Sequence, residues 1–265
     1  MDANLKIAVQ AAVHGGDEIM KIYQLEDLGV EYKEDDSPLT LADKKCNDVI
    51  ISYLENTEFP IISEEIKNLE FSERKDWETC WIVDPLDGTK EFVKRNGEFT
   101  VNIALVKNGK PLLGVIYVPV TKELYFADVS KKTTLKSVLS EHKVDLDNLA
   151  DLSKEIKPAS SNKKLVRVVG SRSHMSEATQ NFVETLKNDF DQVEIVSKGS
   201  SLKFCLVAEG RADVYPRYAP TMEWDTAAGQ AICEAVGLRV ISNETNEPLL
   251  YNKENLLNPW FLVSK

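Results

Sequence analysis

The sequence predicts a layered α/β fold, in which helices and strands stack in separate layers, rather than one regular doubly wound sheet. Short apolar runs and one strong hairpin signal occupy the first half of the chain, and strand and helix patterns alternate in the second half. A length of 265 residues allows one large domain or two closely packed lobes. We therefore expect a first lobe over residues 1–130, a surface insert or linker over 131–164, and a second lobe over 165–265.

The composition excludes several classes of protein and partner. Apolar residues make up 43% and charged residues 28%, as in globular proteins rather than disordered or collagen-like chains. The net charge of −11 repels nucleic-acid polymers and anionic lipids. The longest uncharged apolar stretch, residues 111–120, is too short for a membrane-spanning helix, and the N-terminus does not resemble a signal peptide. Four widely spaced cysteines indicate reduced thiols, so we expect a cytoplasmic protein, with peripheral membrane association left open.

Two amphipathic helices are predicted near the N-terminus. Apolar residues recur at steps of three and four over residues 5–23, which predicts the first helix. A second helix is expected after Pro38, because Thr40 can cap it and the same spacing follows. After this helix, the helical spacing of apolar residues gives way to short continuous apolar runs. Residues 59–62 and 80–83 are short apolar runs typical of buried strands, and both end at acidic residues.

A β-hairpin is predicted next. Asn108-Gly109 is a strong hairpin signal, and it lies between apolar runs over residues 99–106 and 112–118. A further strand is expected over residues 123–127. The chain then becomes rich in lysine, serine and acids, with weak helical patterning around 135–152, and we therefore interpret this part as a surface insert.

Strands and helices alternate after this insert. The expected strands cover residues 165–169, 193–196, 212–215, 238–241 and 261–263, and the expected helices cover 176–190, 202–209 and 225–236. Together with the earlier hairpin, this alternation favours helices and sheets stacked in layers.

A pair of carboxylates follows the strand at residues 80–83. Asp84 and Asp87 lie three residues apart, Pro85 fixes one backbone torsion between them, and Gly88 permits a tight path after them. The two side chains can then converge on one cation. The alternative is an ordinary strand-ending turn, since aspartate and glycine favour turns in any case.

Two further acidic elements favour a metal site. Glu64 follows the strand at residues 59–62, and Asp225 opens the helix expected at 225–236. Taken singly, they are better explained as a solvated strand end and a helix N-cap. Hard divalent cations such as Mg²⁺ take oxygen ligands, so Glu64, Asp84, Asp87 and Asp225, with the backbone carbonyl of Leu86, form a candidate multi-metal site. Bound cations would also let an acidic protein hold an anionic substrate.

Hydrolysis of a phosphate ester is the chemistry that such a site supports, because paired metal ions stabilise the attacking and leaving oxygens of phosphoryl transfer. The attacking water also needs a proton acceptor. Thr89 can present its hydroxyl to this water, with Asp43 accepting a hydrogen bond from that hydroxyl in a general-base relay. The alternative for Asp43 is a capping-box residue that only stabilises the second helix.

The order of these residues resembles the inositol monophosphatase superfamily of magnesium-dependent, lithium-sensitive phosphatases. The superfamily pattern is an early Asp, a Glu-Glu pair, Asp-Pro-x-Asp-Gly-Thr and finally Trp-Asp-x-Ala-Ala. The chain carries this pattern, in order, as Asp43, Glu64-Glu65, Asp84 to Thr89 and Trp224 to Ala228. Lys90-Glu91-Phe92 and Pro220 to Asp225 resemble the 3′(2′),5′-bisphosphate nucleotidase branch of the superfamily. The resemblance implies the αβαβα layered sugar-phosphatase fold.

The resemblance also implies roles for individual residues. The implied ligands of two or three Mg²⁺ ions are Glu64, Asp84, the Leu86 carbonyl, Asp87 and Asp225, and the implied water-activating residues are Asp43 and Thr89. Several of these also border the substrate, namely Glu64, Leu86, Asp87, Thr89 and Asp225, and the backbone amides of Gly88 and Thr89 meet its phosphate. Other implied nucleotide contacts are Ser171, His174, Ser201 and Lys203. Glu65 supports the site from behind, because adjacent acids at a strand end point apart.

One segment departs from the family pattern. Residues 128–134 lack the glycine-rich turn that follows the corresponding strand in many members. The metal-binding motifs are not affected by this difference.

These roles imply a Mg²⁺-dependent phosphatase that removes the 3′-phosphate of 3′-phosphoadenosine 5′-phosphate, and of the sulfated relative 3′-phosphoadenylyl sulfate, in sulfur assimilation. Its products are AMP or adenylyl sulfate and phosphate, and lithium is expected to inhibit it. Two alternatives remain: an inositol or other sugar monophosphatase, because the metal apparatus is shared, and a non-catalytic nucleotide-binding sensor. The expected partner is a small phosphorylated nucleotide, and the protein is expected to be a monomer or a homodimer.

Overall fold

The computed structural model of the chain describes residues 1–32, 38–67, 70–160, 164–170 and 175–265. The helices of this part are α1 (Ala3–Tyr23), α2 (Leu41–Leu54), α3 (Phe71–Arg74), α4 (Thr89–Val93), α5 (Leu149–Leu152), α6 (Glu177–Leu186), α7 (Leu202–Ala208) and α8 (Glu223–Ala235). None of these described helices combines the length and the hydropathy that crossing a bilayer requires.

The strands of the described residues fall into a large sheet, a second group and one short pair. The large sheet contains β3 (Ile61–Ser63), β4 (Thr79–Asp87), β5 (Thr100–Lys107), β6 (Lys110–Val118), β7 (Glu123–Asp128), β8 (Thr133–Val138) and β9 (Lys154–Glu155). The second group contains β10 (Leu165–Gly170), β11 (Gln192–Ser197), β12 (Tyr215–Arg217), β13 (Arg239–Ser242) and β14 (Phe261–Ser264). The short pair is β1 (Glu31–Tyr32) with β2 (Pro38–Leu39).

The large sheet has its strands in chain order, from β3 at one edge to β9 at the other. β3 and β4 are parallel, and the other neighbours are antiparallel. The β5-β6 hairpin turns at Asn108 and Gly109, with φ angles of 49° and 73°. These are the left-handed values that a two-residue hairpin turn of this kind requires at both central positions. The predicted hairpin is therefore confirmed.

Both faces of the large sheet are covered, which explains why its strands appear in the sequence as continuous apolar runs. In β5, Val101 and Ile103 belong to the core shared with α1 and α2, whereas Ala104 and Val106 belong to the core on the opposite face. The first face packs against α1 and α2. On the second face, α8 lies across β4, β5, β6 and β7.

The second group of strands lies beyond α7 and α8. β10 and β11 are parallel, β14 is antiparallel to β12 and β13, and a bridge between Val168 and Val214 lies between β10 and β12 in this group. α7 contacts β10, β12 and β14, and α6 contacts β10 and β12. The layers are therefore α1 with α2, the large sheet, α7 with α8, the second strands, and α6. This arrangement confirms the predicted layered α/β architecture.

Within the segment 131–164, which the sequence predicts as a surface insert or linker, described residues extend the large sheet. β8 pairs with β7 along its whole length and so extends the large sheet, and β9 adds a short edge strand. Thr134 in β8 is buried, and its hydroxyl donates to the carbonyl of Ile232 in α8 at 2.9 Å. The polar composition of β8 hides it in the sequence, because a strand near a sheet edge needs no continuous apolar run. The weak helical pattern at 135–152 yields only α5 among the described residues.

One hydrophobic core contains residues from both sides of this segment. Ile82 in β4 and Tyr125 in β7 belong to the same buried cluster as Phe204 in α7 and Val263 in β14. The two predicted lobes are thus packed together through shared apolar side chains.

Candidate active site

Strand β4 carries two predicted metal ligands at its C-terminal end. Asp84 pairs with Asn102 of β5, and the register shifts before the next pair, Asp87 with Thr100. Side chains three residues apart on a regular strand point to opposite faces. The irregularity between Asp84 and Asp87 re-aims the strand so that both carboxylates reach one site. The predicted turn is therefore a bulged continuation of the strand.

Helix α8 brings a third carboxylate to the same place. Asp225 is the third residue of α8, where one of its oxygens accepts a hydrogen bond from the backbone N–H of Met222 at 2.8 Å. Among the described residues, one oxygen from each of Asp84, Asp87 and Asp225 lies within 4.8 Å of the others. Asp225 therefore satisfies a backbone donor at its helix N-terminus and also joins the cluster. Three carboxylate oxygens are a donor set that fits a hard divalent cation.

The electrostatics of the cluster also favour a cation. Asp84 is only 1% exposed, and burial, followed by the charges of Glu64 and Asp87, raises its pKa well above the ordinary value. Burial and the charge of Asp87 raise the pKa of Asp225 to about 7. A divalent cation can replace the protons that such carboxyls otherwise keep, because its positive charge stabilises their ionised forms.

Glu64 and Glu65 act on different parts of the site. The backbone N–H of Glu64 donates to the carbonyl of Val83 in the neighbouring strand, which puts Glu64 beside the end of β4. Its charge contributes to the raised pKa of both Asp84 and Asp225. The charge of Glu65 instead contributes to the raised pKa of Asp43.

Asp43 uses its two oxygens for two purposes. Oδ2 accepts hydrogen bonds from the backbone N–H and the hydroxyl of Thr40, at 2.8 and 2.6 Å, in a capping box at the start of α2. Oδ1 accepts a hydrogen bond of 3.2 Å from the hydroxyl of Thr89, which also lies 3.3 Å from the Leu86 carbonyl. Burial raises the pKa of Asp43 to about 6. The capping role and the contact with Thr89 therefore coexist.

A cavity of about 350 Å³ opens beside the carboxylates. Asp87, Gly88, Ser200, Lys203 and Arg217 are among the residues that line it. Burial lowers the pKa of Lys203 to about 8, so its amine is still mostly protonated at neutral pH. The Nε of Arg217 is buried and has no hydrogen-bond partner among the described residues. The cavity thus places Lys203 and Arg217 next to an anionic cluster, and Lys94, Lys198, Glu91 and Glu98 also line it.

Some of the predicted nucleotide contacts are not found among the residues that line this cavity. Ser201 is 2% exposed and its hydroxyl lies 2.7 Å from Oδ2 of Asp87, so it sits behind the cluster, while its neighbour Ser200 lines the cavity. Ser171 and His174 lie outside the described residues. A larger cavity, of about 790 Å³, lies near the C-terminal end of α8 and is lined by none of the cluster carboxylates.

Two residues near the cluster, Arg217 and Asn102, are not predicted as site residues from the sequence. Arg217 ends β12, and nothing in its spacing marks it before the fold brings β12 to the cavity. Asn102 interrupts the apolar run of β5, and its Nδ2 donates to the hydroxyl of Ser201 at 2.9 Å. A buried amide in a central strand is uncommon, so this interruption was the available signal.

Comparisons with known proteins agree on one family. The family model described as the inositol monophosphatase family matches residues 1–260. The chain is 40% identical over 263 residues to the 3′(2′),5′-bisphosphate nucleotidase CysQ of Salmonella typhimurium, covering 98% of this chain and 99% of the relative. The corresponding protein of Escherichia coli K12 is 41% identical over 259 residues, covering 96% and 97%. The crystal structure of CysQ from Bacteroides thetaiotaomicron, a bacterial member of the family, superimposes with a TM-score of 0.88 at 49% identity, covering 99% and 97%.

Proposed function

Because the chain belongs to the inositol monophosphatase family, we propose that it hydrolyses the 3′-phosphate of 3′-phosphoadenosine 5′-phosphate with Mg²⁺. The chain is a phosphatase, and its full-length relatives at about 40% identity are bisphosphate nucleotidases. The observation that carries the choice of substrate is the cavity beside the carboxylate cluster, where Lys203 and Arg217 form a second region suited to an anion. A substrate with two phosphates can place one at the carboxylate cluster with its metal and the other at Lys203 and Arg217.

The acidic cluster is proposed to hold the metal. Mg²⁺ prefers oxygen ligands, and the chain offers the carboxylates of Glu64, Asp84, Asp87 and Asp225 with the carbonyl of Leu86. Two or three bound ions would supply positive charge to the 3′-phosphate and make the attacking water more acidic. The backbone amides of Gly88 and Thr89, at the start of α4, are proposed to contact the same phosphate.

Asp43 and Thr89 are proposed to handle the proton of the water. The Thr89 hydroxyl donates to Asp43, which leaves its oxygen able to accept a hydrogen bond from a water held over the cluster. Asp43 then takes the proton through this hydroxyl. A pKa of about 6 suits a base that must be ionised near neutral pH and still attract a proton.

The cationic side of the cavity is proposed to bind the 5′-phosphate. Lys203 and Arg217 can each donate charge-assisted hydrogen bonds to phosphate oxygens, and Ser200 and Gly88 line the same cavity. An inositol monophosphate has no second phosphate to occupy this side. Ser171 and His174 remain proposed nucleotide contacts on the strength of the sequence alone. The burial of Ser201 and its contact with Asp87 favour a place behind the cluster over a contact with the nucleotide.

The proposed activity belongs to sulfur assimilation, where it removes a nucleotide by-product that would otherwise inhibit sulfotransfer enzymes. The same site is proposed to accept 3′-phosphoadenylyl sulfate, because the sulfate extends from the 5′ side and leaves the 3′-phosphate unchanged. The compartment is proposed to be the cytoplasm.

The test is release of phosphate from 3′-phosphoadenosine 5′-phosphate, adenosine 3′-phosphate and inositol 1-phosphate under identical conditions. We expect the bisphosphate to have the highest kcat/KM, with activity abolished by a chelator, restored by Mg²⁺ and reduced by Li⁺. A preference for inositol 1-phosphate would reject the nucleotide assignment. Tight nucleotide binding without phosphate release from any of the three would instead indicate a nucleotide-binding sensor.

A further inference from the structure

Ser201 occupies a helix N-cap position without capping the helix. A serine at this position usually accepts a hydrogen bond from a backbone N–H in the first turn of its own helix. At the start of α7, no such side-chain bond exists among the described residues, and the φ and ψ angles of Ser201, −70° and −2°, are already helical. Helix capping therefore does not account for this hydroxyl.

The Ser201 hydroxyl is directed at the carboxylate cluster instead. Its Oγ lies 2.7 Å from Oδ2 of Asp87 and 2.8 Å from the backbone carbonyl of Asp225. The backbone N–H of Ser201 donates to the same Oδ2. One buried residue thus brings its backbone N–H and its hydroxyl to a single oxygen of Asp87, and Oδ1 of that carboxylate is left to the cluster.

Asn102 limits the groups to which the Ser201 hydroxyl can donate. Its Nδ2, which can only donate, lies 2.9 Å from the Ser201 Oγ and 3.4 Å from Oδ2 of Asp87. Since the Ser201 oxygen accepts from Asn102, its single proton goes to Asp87 or to the Asp225 carbonyl. Asn102 is 1% exposed, and its Oδ1 has no hydrogen-bond partner within the described part of the chain. The amide is therefore retained in an apolar strand although only one end of it is satisfied.

We propose that Ser201 and Asn102 are positioning residues that orient the Asp87 carboxylate, so that its Oδ1 faces a divalent cation held with Asp84 and Asp225. This role needs no contact with the substrate, and both residues are buried. This inference rests on the proposed function for the presence of the metal. Residues that hydrogen-bond a metal-binding carboxylate commonly change metal affinity or activity by about 10- to 100-fold when they are replaced.

The test measures metal binding directly, without turnover. Mn²⁺ is titrated into the metal-free protein and its free concentration is followed by electron paramagnetic resonance, for the unchanged chain and for Ser201→Ala. We expect Ser201→Ala to weaken Mn²⁺ binding by about 10-fold or more. The Mg²⁺ concentration for half-maximal phosphate release should rise by a similar factor, whereas KM for 3′-phosphoadenosine 5′-phosphate at saturating Mg²⁺ should stay within about 2-fold.

Matched variants separate positioning from a general loss of stability. Ser242→Ala removes a serine hydroxyl that is equally buried, at 2% exposure, but belongs to β13 and accepts from the backbone of Glu244 and Thr245. It should leave Mn²⁺ affinity unchanged even if it lowers the thermal midpoint. Ser201→Thr keeps a hydroxyl and should keep most of the affinity. Asn102→Ala tests the pair independently of position 201 and should weaken Mn²⁺ binding in the same direction.

The outcomes distinguish this inference from the proposed function. Unchanged Mn²⁺ affinity in both Ser201→Ala and Asn102→Ala, in a protein that still hydrolyses the bisphosphate, would overturn the positioning role alone. Failure of the unchanged chain to bind Mn²⁺ or Mg²⁺ would overturn both. A rise in KM for the nucleotide with Mn²⁺ affinity preserved would overturn the positioning role and make Ser201 a substrate contact.

Discussion

The Thr89 hydroxyl donates a hydrogen bond to Oδ1 of Asp43 across a distance of 3.2 Å, while Oδ2 of the same carboxylate caps α2. The start of α2 and the start of α4 are thus joined through the Asp43 side chain. A general base has to be held in place as well as ionised. If Asp43 is the base that we propose, the capping box provides that restraint, because it fixes Oδ2 and leaves Oδ1 to Thr89.

Replacing Asp43 by asparagine should separate the capping of α2 from the proposed acceptance of a proton. An amide oxygen can still accept from the backbone of Thr40, but it cannot take up a proton. We expect kcat to fall by roughly 100- to 10,000-fold, with nucleotide affinity and the thermal midpoint changing little. Steady-state kinetics, calorimetric titration of the nucleotide and thermal unfolding measure these three quantities.

The matched control is Asp48→Asn, because Asp48 is exposed on the same helix. It should retain full activity. Near-normal turnover by Asp43→Asn would show that another group accepts the proton.

The stability of the metal-free protein should depend on pH. Burial raises the pKa of Asp225 to about 7, so the folded state keeps a proton that the unfolded chain has released. The contribution of this group to stability is therefore fully present below about pH 4 and is lost as the pH rises from there through 7, by on the order of 4 kcal/mol. Asp84, whose pKa is also raised, acts in the same direction.

Urea unfolding at pH 5 and pH 8, with a chelator or with Mg²⁺, measures this dependence. We expect Mg²⁺ to stabilise the protein more at pH 8, because the metal then binds carboxylates without displacing protons. Equal stabilisation by Mg²⁺ at the two pH values would contradict the raised pKa values.

Arg217→Met should affect only substrates that carry a 5′-phosphate. A charge-assisted hydrogen bond contributes about 1.5–3 kcal/mol, so KM for 3′-phosphoadenosine 5′-phosphate should rise by roughly 10- to 100-fold. KM for adenosine 3′-phosphate should stay nearly constant, because it has no group for Arg217 to bind. The comparison is made by steady-state kinetics on both substrates.

Arg239→Met is the control for loss of one positive charge, since Arg239 is exposed in β13. It should leave both KM values unchanged. An equal rise in KM for the two substrates with Arg217→Met would place the arginine at the 3′ side or give it a structural role.

Gly88→Ala should lower the free energy of unfolding by more than backbone strain alone accounts for. Gly88 has φ of 95°, and a Cβ there would lie 3.2 Å from the Glu98 carbonyl oxygen and 3.3 Å from the Cβ of Ser200. A left-handed conformation costs a residue with a Cβ about 1–2 kcal/mol, and the crowding adds to it. We expect lower stability and lower kcat/KM, because the two walls of the cavity are pushed apart.

Gly237→Ala is the control that measures the backbone strain without any crowding of the added Cβ. Gly237 has φ of 83°, and no atom lies within 4 Å of its added Cβ. Urea unfolding of the two variants should show a larger loss for Gly88→Ala, and only that variant should lose activity. Equal losses of stability with full activity in both would rule out the crowding.

Local patterns predict most of the fold because each of them has a local cause. The caps, the apolar period and the Asn-Gly turn act within a few residues, and they locate α1, α2 and the β5-β6 hairpin correctly. β8 was missed because its place in the sheet depends on β7 and α8 rather than on its own composition.

In the site, too, residues within local motifs are predictable from the sequence, whereas residues placed by distant parts of the chain are not. Asp84, Asp87 and Asp225 are found by their motifs, and the structure brings them together. The cation that faces them from β12, Arg217, has no local signal, because only the packing of the second strands brings it to the cavity. Ser201 is visible in the sequence, but its orientation depends on Asn102, almost a hundred residues earlier in the chain.

The position of α8 has a consequence for the order in which the protein is made. Asp84 and Asp87 leave the ribosome long before Asp225, and α8 packs across four strands that have all been synthesised by then. A nascent chain can therefore assemble the large sheet before its third carboxylate arrives to repel the other two. The contact between Asp225 and the other two carboxylates can therefore form only late in synthesis.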